Sequence, residues 1–323
     1  MEKTKKLTIK KTDFENAELY SSKFQNNNFF STPKHIKNFN LEIDWWVVYR
    51  GEEALCLWPI YLNENKEVNK PLFSYYFGPI WSANFKELSN HSVLAKKCEV
   101  LDTFINHFTK VYKNLFFQFD YNELDIRYFL WTNENQKFTN KKFIISPKYT
   151  SVIFDLDKKN KENILSDFRV LRKRMIKKFS ETKDFNKESN FSLQEILSLY
   201  NDTITRKKNI VDKDANKFIS VFHKMCQGGD CKMIGYRNKK NNEIVSVVMV
   251  ALEKDTANLI LNLSSHKYKD TGVSAFNMLE SILYAKNLNC TRFDFNGANS
   301  QIGADDKQSY GGNSKLYFQI ELR

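Results

Sequence analysis

Residues 231–264 read CKMIGYRNKKNNEIVSVVMVALEKDTANLILNLS. Three segments within it, 231–237, 243–252 and 256–264, are rich in Val, Ile, Leu and Met and are separated by short polar breaks, the first of them at Asn241-Asn242. That pattern predicts three adjoining antiparallel strands. An amphipathic helix is expected over 272–287, followed by the stretch RFDFNGANSQIGADDKQSYGGNSKLY at 292–317. There Phe293 and Phe295 alternate with Asp294 and Asn296 as in a strand, the pattern breaks at Gly297 and Gly303, and a last strand resumes at 315–322. Four of the chain's ten glycines fall in 297–312. A long polar loop between two strands exceeds the usual two to six residues of a connection, which makes it the first place to look for chemistry.

Upstream, the first forty residues are polar, with turns at Asn26-Asn27-Asn28 and Ser31-Thr32-Pro33 and a short helix over 14–24. Segments 43–49 and 54–61 read as a strand pair, and 73–81 as an aromatic segment with a Gly78-Pro79 turn. A helix over 92–112, with Leu94, Cys98, Leu101, Ile105 and Phe108 at three- and four-residue steps, leads into a strand at 115–121. Strand and crossover are expected across 144–156. A single helix over 163–180 carries an apolar stripe (Leu165, Phe168, Leu171, Met175, Phe179) and a basic one (Arg169, Lys173, Lys177), with Arg172, Arg174 and Lys178 extending the charge. Two further helices are expected at 191–208 and 214–226. In both halves a long helix runs into a short strand ending aromatic-Asp-aromatic, a weak internal repeat. With 323 residues, more than one core usually serves, two domains are expected, at 1–150 and 151–323.

Apolar residues make up 41% and charged residues 27%, a globular composition. The formal net charge of +12 favours polyanionic partners such as tRNA, a pyrophosphate, a nucleotide-sugar or an acidic membrane surface, and equally serves solubility. Five cysteines without regular spacing argue against a disulfide framework or a zinc site, so no metal is expected. No apolar run reaches the length of a membrane span, and the first residues lead into no signal-peptide core. The expected location is therefore the cytoplasm, with peripheral membrane contact compatible with the charge.

The strand, strand, strand, helix, strand, loop, strand order, with Asp306-Lys307-x-x-Tyr310-Gly311-Gly312 in the loop and Tyr317 in the last strand, resembles the Fem-type peptidoglycan-bridge aminoacyltransferases of the GNAT N-acyltransferase superfamily. In that family the lysine commonly follows a phenylalanine and precedes a Phe-Gly turn; here Asp306 and Tyr310 stand at those places. Leu57-Trp58-Pro59 and Tyr76-Phe77-Gly78-Pro79 are similar to segments lining the family's acceptor site, and Arg172-Lys-Arg-Met-Ile-Lys-Lys178 to its basic helix. The resemblance implies an α/β (α+β) fold of two GNAT-like domains, each a mixed, mostly antiparallel sheet flanked by helices. It also implies an N-terminal acceptor-side domain, a C-terminal donor or catalytic domain, and an active site in the cleft between them.

What the resemblance implies for chemistry is acyl or aminoacyl transfer to an amine or hydroxyl of a cell-envelope precursor, either a peptidoglycan intermediate or a nucleotide-linked sugar. The co-substrate would be aminoacyl-tRNA or acyl-CoA, with no tightly bound cofactor, and tRNA but not DNA as a nucleic-acid partner. Lys307 is expected to stabilise the oxyanion, and Asp294, Asp305, Asp306 or His266 to orient the acceptor or take its proton. Trp58, Tyr76, Gly78, Arg172, Lys173, Asn296, Asn299, Tyr310 and Tyr317 are candidate substrate contacts. The donor's phosphates would meet Lys267, Lys269, Gly272 and Ser274 ahead of the 272–287 helix, where only Gly272 survives of the usual GNAT phosphate loop. Two alternatives stand beside this: an acyl-CoA-dependent sugar N-acyltransferase, and a non-catalytic RNA- or nucleotide-binding protein using the basic helix.

Overall fold

The computed structural model describes residues 6–24, 28–72, 74–206 and 215–323. The turn read at 26–27, the first residue of the 73–81 segment, and the helix ends read at 207–208 and at Asp214 lie outside them. The chain divides into two compact units, one formed by 1–148 with 316–323 and the other by 149–315. The final strand, Asn313–Leu322, therefore leaves the second unit and ends in the first. There Gln319 to Leu322 pair antiparallel with Gln118 to Leu115, burying Ile320 and Leu322. A division at 150/151 assigns these last residues to the other unit, because a sequence pattern marks a strand without naming its partner.

In the first unit Ile43–Arg50 and Glu53–Leu62 form the expected hairpin, turning at Gly51, and Trp45, Trp46, Trp58 and Ile60 face its two cores. A further strand, Leu7–Thr12, pairs with Ile43–Arg50 from the polar N-terminal region, where half-buried Leu7 and Ile9 alternate with exposed Thr8 and Lys10. Helix Asn90–Val111 lies on this sheet. Its buried Val100, Leu101, Phe104, Ile105 and Phe108 recur at the spacing that puts them on one side of a helix, and the Ser89 hydroxyl accepts from the Ser92 N–H to cap it.

In the second unit Cys231–Asn238, Ile244–Glu253 and Thr256–Ser264 are the expected antiparallel run. Arg292–Asp294 adds parallel to Thr256–Ser264, and Phe143–Ile153 pairs antiparallel with Arg292–Asp294 through Val152 and Ile153. A short strand that the sequence did not reveal, Phe185–Glu188, closes the far edge on Cys231–Asn238. Helix Val273–Asn287 buries Ala275, Met278, Leu279, Ile282 and Ala285 against this sheet. The protein is thus α/β, with mixed and mostly antiparallel sheets flanked by helices.

The single helix expected over 163–180 is two, Lys161–Ser166 and Val170–Ser180. The Arg169 N–H donates to the Ser309 carbonyl at 3.0 Å instead of to the preceding turn, which interrupts the helix. Phe168 turns inward, edge-on to Tyr310 at 5.4 Å, while Leu171, expected on the apolar stripe, is 63% exposed. The second of these helices packs across the start of Val273–Asn287 at Gly272. This residue has φ +84°, and an added Cβ would lie 2.1 Å from the Met175 carbonyl oxygen.

Lys70, in the first unit, is a cation with little water around it. Its Nζ donates to the Ser74 carbonyl at 2.8 Å, and burial, reinforced by the nearby positive charge of Lys148, lowers its pKa to about 8.

Two outcomes follow from these placements. Gly272→Ala must leave the left-handed backbone region and push a backbone carbonyl aside, so it should cost about 2–5 kcal/mol in urea unfolding; an unchanged midpoint would mean that the two helices are not packed so closely. For Lys70 the folded pKa lies below the unfolded value of about 10.4. At neutral pH both states carry the proton and the fold bears the cost of burying it; between the two pKa values the unfolded state binds more protons, so stability rises with pH. Lys70→Met should therefore be more stable than the parent near pH 7, and that advantage should shrink by about pH 9.5. A pH-independent difference would refute the lowered pKa.

Candidate functional site

The strand Thr256–Ser264 and the strand Arg292–Asp294 share only three register pairs, Thr256↔Arg292, Ala257↔Phe293 and Asn258↔Asp294. The longer strand runs on six residues beyond the last of them. On its other side Met249 faces Leu261 and Val250 faces Leu259, which leaves Ile260 as a bulge immediately past the point of parting. The departing chain turns at Asn296, a fully buried residue with φ +55°. Its N–H donates to Asp294 Oδ1 at 2.7 Å and its Nδ2 to the Leu259 carbonyl at 2.8 Å, across the gap. Asn296 Oδ1 is buried and has no hydrogen-bond partner among the described residues. Beyond Asn258, no backbone group among the described residues pairs with this edge of the strand.

Asp294 is 1% exposed and also accepts the Thr150 hydroxyl at 2.6 Å, so its carboxylate holds the turn to the neighbouring strand. Ala298 donates to the Tyr149 carbonyl at 2.6 Å, and Asn299 Oδ1 accepts the Tyr149 N–H at 2.7 Å. The polar loop itself contains a helix, Gln301–Gln308, capped by Ser300, whose hydroxyl accepts from the Gly303 N–H at 3.1 Å. Two glycines near this stretch conceal the helix in the sequence, although Ser300 followed by Ala304 to Gln308 carries a cap and good helix formers.

Lys307 lies in the last turn of this helix. Its Nζ donates to the carbonyls of Asn296 and Gly297, which places its charge at the mouth of the gap. Asp305 and Asp306, just before Lys307 in the same turn, are held by the helix Val170–Ser180 and its cap. Arg169 grips Asp305 through both terminal guanidinium nitrogens, Nη1 and Nη2, at 2.8 and 2.5 Å. Arg172 pairs with Asp306, donates to the Ser309 hydroxyl at 2.8 Å and stacks over the Tyr310 ring at 4.6 Å. The Arg169 guanidinium holds the Asp305 carboxyl below its usual range, so it stays ionised and is a poor proton acceptor near neutral pH. Tyr310 is 1% exposed, and burial pushes its hydroxyl well above the usual phenol range. Lys173 donates to the Ser166 carbonyl at 2.8 Å.

The residues expected at the donor phosphates lie at the far end of the long strand. From Leu259, at the gap, to Ser264 is five strand residues, roughly 16 Å. His266 is exposed and its backbone N–H donates to Asp202 at 3.2 Å. Lys267 is exposed and ion-paired with Glu243 at 2.7 Å. Lys269 is exposed, Ser274 is half-buried at the start of its helix, and Gly272 packs on Met175. In the first unit, Trp58 is enclosed by Phe104, Phe108, Phe117 and Phe119 in the core. Tyr76 is 1% exposed and meets Tyr121 and Tyr317 edge-on, and Gly78 packs against the Phe119 ring. Sequence reasoning gave no role to Thr150, which holds Asp294, or to Ser309, which takes Arg172 at its hydroxyl and Arg169 at its carbonyl; neither belongs to a motif.

No family model and no curated protein matches this chain. Solved structures do match along nearly its whole length. FemX shares 11% identity over 96% of this chain and 96% of its own, with a TM-score of 0.66. A tandem GNAT protein from the clavulanic acid biosynthesis pathway shares 7% over 98% of each chain, with a TM-score of 0.57. The C-terminal domain of a putative lysylphosphatidylglycerol synthetase from Agrobacterium fabrum shares 7% over 96% of this chain and 92% of its own, also at 0.57. At such low identity these likenesses establish architecture alone: the chain shares the fold of FemX and of the tandem GNAT protein.

Proposed function

We propose that this protein is an acyltransferase whose donor lies along the open edge of Thr256–Ser264. The observation that carries this reading is the parting of two parallel strands after three residue pairs, with a bulge at Ile260 and a lysine ammonium at the mouth. An unpaired strand edge offers N–H and C=O groups to an extended, amide-bearing donor, which adds to the sheet as a further strand does. The donor carbonyl then lies near Asn296 and Lys307. As an amine or hydroxyl attacks, negative charge develops on that oxygen, and a preorganised cation beside it lowers the barrier. Asn296 and Asp294 keep the gap open, while Arg169 and Arg172 hold the helix that carries Lys307. His266 and Asp305 have no part in the chemistry in this proposal, the first on distance and the second on charge. The tetrahedral intermediate collapses by breaking the donor's ester C–O or thioester C–S bond, and the proton lost by the acceptor passes through solvent to the departing oxygen or sulfur.

The acyl group and its acceptor are a finer proposal. FemX and the lysylphosphatidylglycerol synthetase share this fold, and on that likeness we place the acceptor among cell-envelope precursors, a peptidoglycan intermediate or a nucleotide-linked sugar, with aminoacyl-tRNA as donor. Acyl-CoA is the second donor reading. It is favoured by the open strand edge, whose backbone groups could pair with the amides of a pantetheine arm. A non-catalytic RNA-binding role draws less support, because Arg169 and Arg172 of the basic helix are committed to Asp305 and Asp306.

Thermal-shift measurements with acetyl-CoA, UDP- and dTDP-sugars and charged tRNA at two salt concentrations separate the donors, since only a ligand of the native state raises the melting temperature. With the stabilising donor and an amine acceptor, Lys307→Met should lower kcat/KM about 10²–10³-fold. Donor-induced stabilisation should persist in the variant. Loss of donor binding together with turnover would mean that Lys307 serves only to hold the loop, and undiminished turnover would remove it from the site.

A further inference from the structure

Among the described residues of the second unit, five large apolar side chains are exposed: Tyr149, Val170, Leu171, Leu288 and Ile302. One of them, Ile302, lies on the helix Gln301–Gln308, and Tyr149, Val170 and Leu171 are in or next to residues bonded to that helix or to the turn before it. Tyr149 accepts the Ala298 N–H at its carbonyl and donates its own N–H to the Asn299 side chain, just ahead of Ile302. Ile302 lies one turn before Asp305 on the same side of its helix, and Asp305 is gripped by Arg169, which Val170 and Leu171 follow directly. The exposures are 47% for Tyr149, 61% for Val170, 63% for Leu171 and 82% for Ile302. Apolar side chains this exposed, brought to one region of the unit by the Arg169–Asp305 ion pair and by the Tyr149 bonds, are more than a soluble surface usually displays without a use.

The charges around the patch indicate its occupant. Asp305 and Asp306 are neutralised by Arg169 and Arg172, whereas Arg174 and Lys177, one to two turns beyond Val170, are exposed. The rim is therefore cationic around aliphatic tips and one tyrosine. That combination lets apolar groups enter the boundary between headgroups and acyl chains while the cations meet anionic headgroups. We propose that Tyr149, Val170, Leu171 and Ile302, with Arg174 and Lys177, form a docking surface for an anionic lipid bilayer. The proposal is independent of the acyl-transfer reading and survives its failure.

The test is pelleting of the full chain with vesicles of phosphatidylcholine alone or mixed with phosphatidylglycerol. Binding is expected to the mixed vesicles, to weaken as salt is raised, and to be absent from phosphatidylcholine alone. Changing Val170, Leu171 and Ile302 together to Ser should lower the partition coefficient about tenfold or more. The melting temperature should hold, because these side chains are exposed. The pair Arg174→Glu and Lys177→Glu should abolish binding by charge alone, which keeps the test decisive if the triple variant is unstable. No pelleting with the anionic vesicles, or equal pelleting of parent and variants, overturns the proposal. So does a self-association in solution that the Ser variant abolishes while vesicles leave the parent unbound, since the patch would then bind a second copy.

Discussion

The candidate site depends on a parallel strand pair that ends after three residues. Two parallel strands would ordinarily continue while their backbones can exchange hydrogen bonds, because an unpaired buried N–H or C=O is costly. Here the shorter strand is diverted at Asn296, which adopts a left-handed conformation that asparagine tolerates better than most residues. Its own N–H is satisfied by Asp294, and its amide satisfies the Leu259 carbonyl that the departing strand would have met. One residue therefore compensates both backbones at the branch. The bulge at Ile260 adds a change of direction in the longer strand at the same level. The open edge beyond is the feature on which the functional reading rests.

The loop that follows is held by its contacts with a different part of the chain. A helix of eight residues is short for independent stability, and Gln301–Gln308 buries none of its side chains. It is held from one end by Lys307 on the Asn296 and Gly297 carbonyls, and from the side by Arg169 and Arg172. Exposed ion pairs contribute little stability individually. Arg172 does more than pair, since it also bonds Ser309 and stacks on the buried Tyr310 ring, and this fixes the direction of the whole clasp. The basic helix thus has two roles. Its first turn positions the loop, and its later cations face solvent.

Much of the fold was legible because it rests on periodicity. The run 231–264 alternates and breaks where strands and turns do, and the helices over 92–112 and 272–287 show their apolar spacing directly. The site was legible in part. Lys307, Asn296, Tyr310 and Arg172 cluster in the structure and are adjacent to recognisable punctuation in the sequence. The break at Phe168–Arg169 was not legible, because it arises from the Ser309 carbonyl more than a hundred residues away. The loop helix was obscured by glycines, and the strand at Leu7–Thr12 by its adjacent, exposed lysines.

The sequence by itself determined where the chain extends, coils and turns, since these follow from side-chain size, branching and spacing within a few residues. It also determined the presence of a lysine beside a glycine-rich turn and a surplus of positive charge. Only the tertiary structure decided which strands part, which carboxylates are already taken by arginines, and that the last strand returns to the first unit. Each of those outcomes depends on pairing between distant segments. Hydrogen bonds and ion pairs of that kind are specified by three-dimensional proximity, about which local pattern is silent.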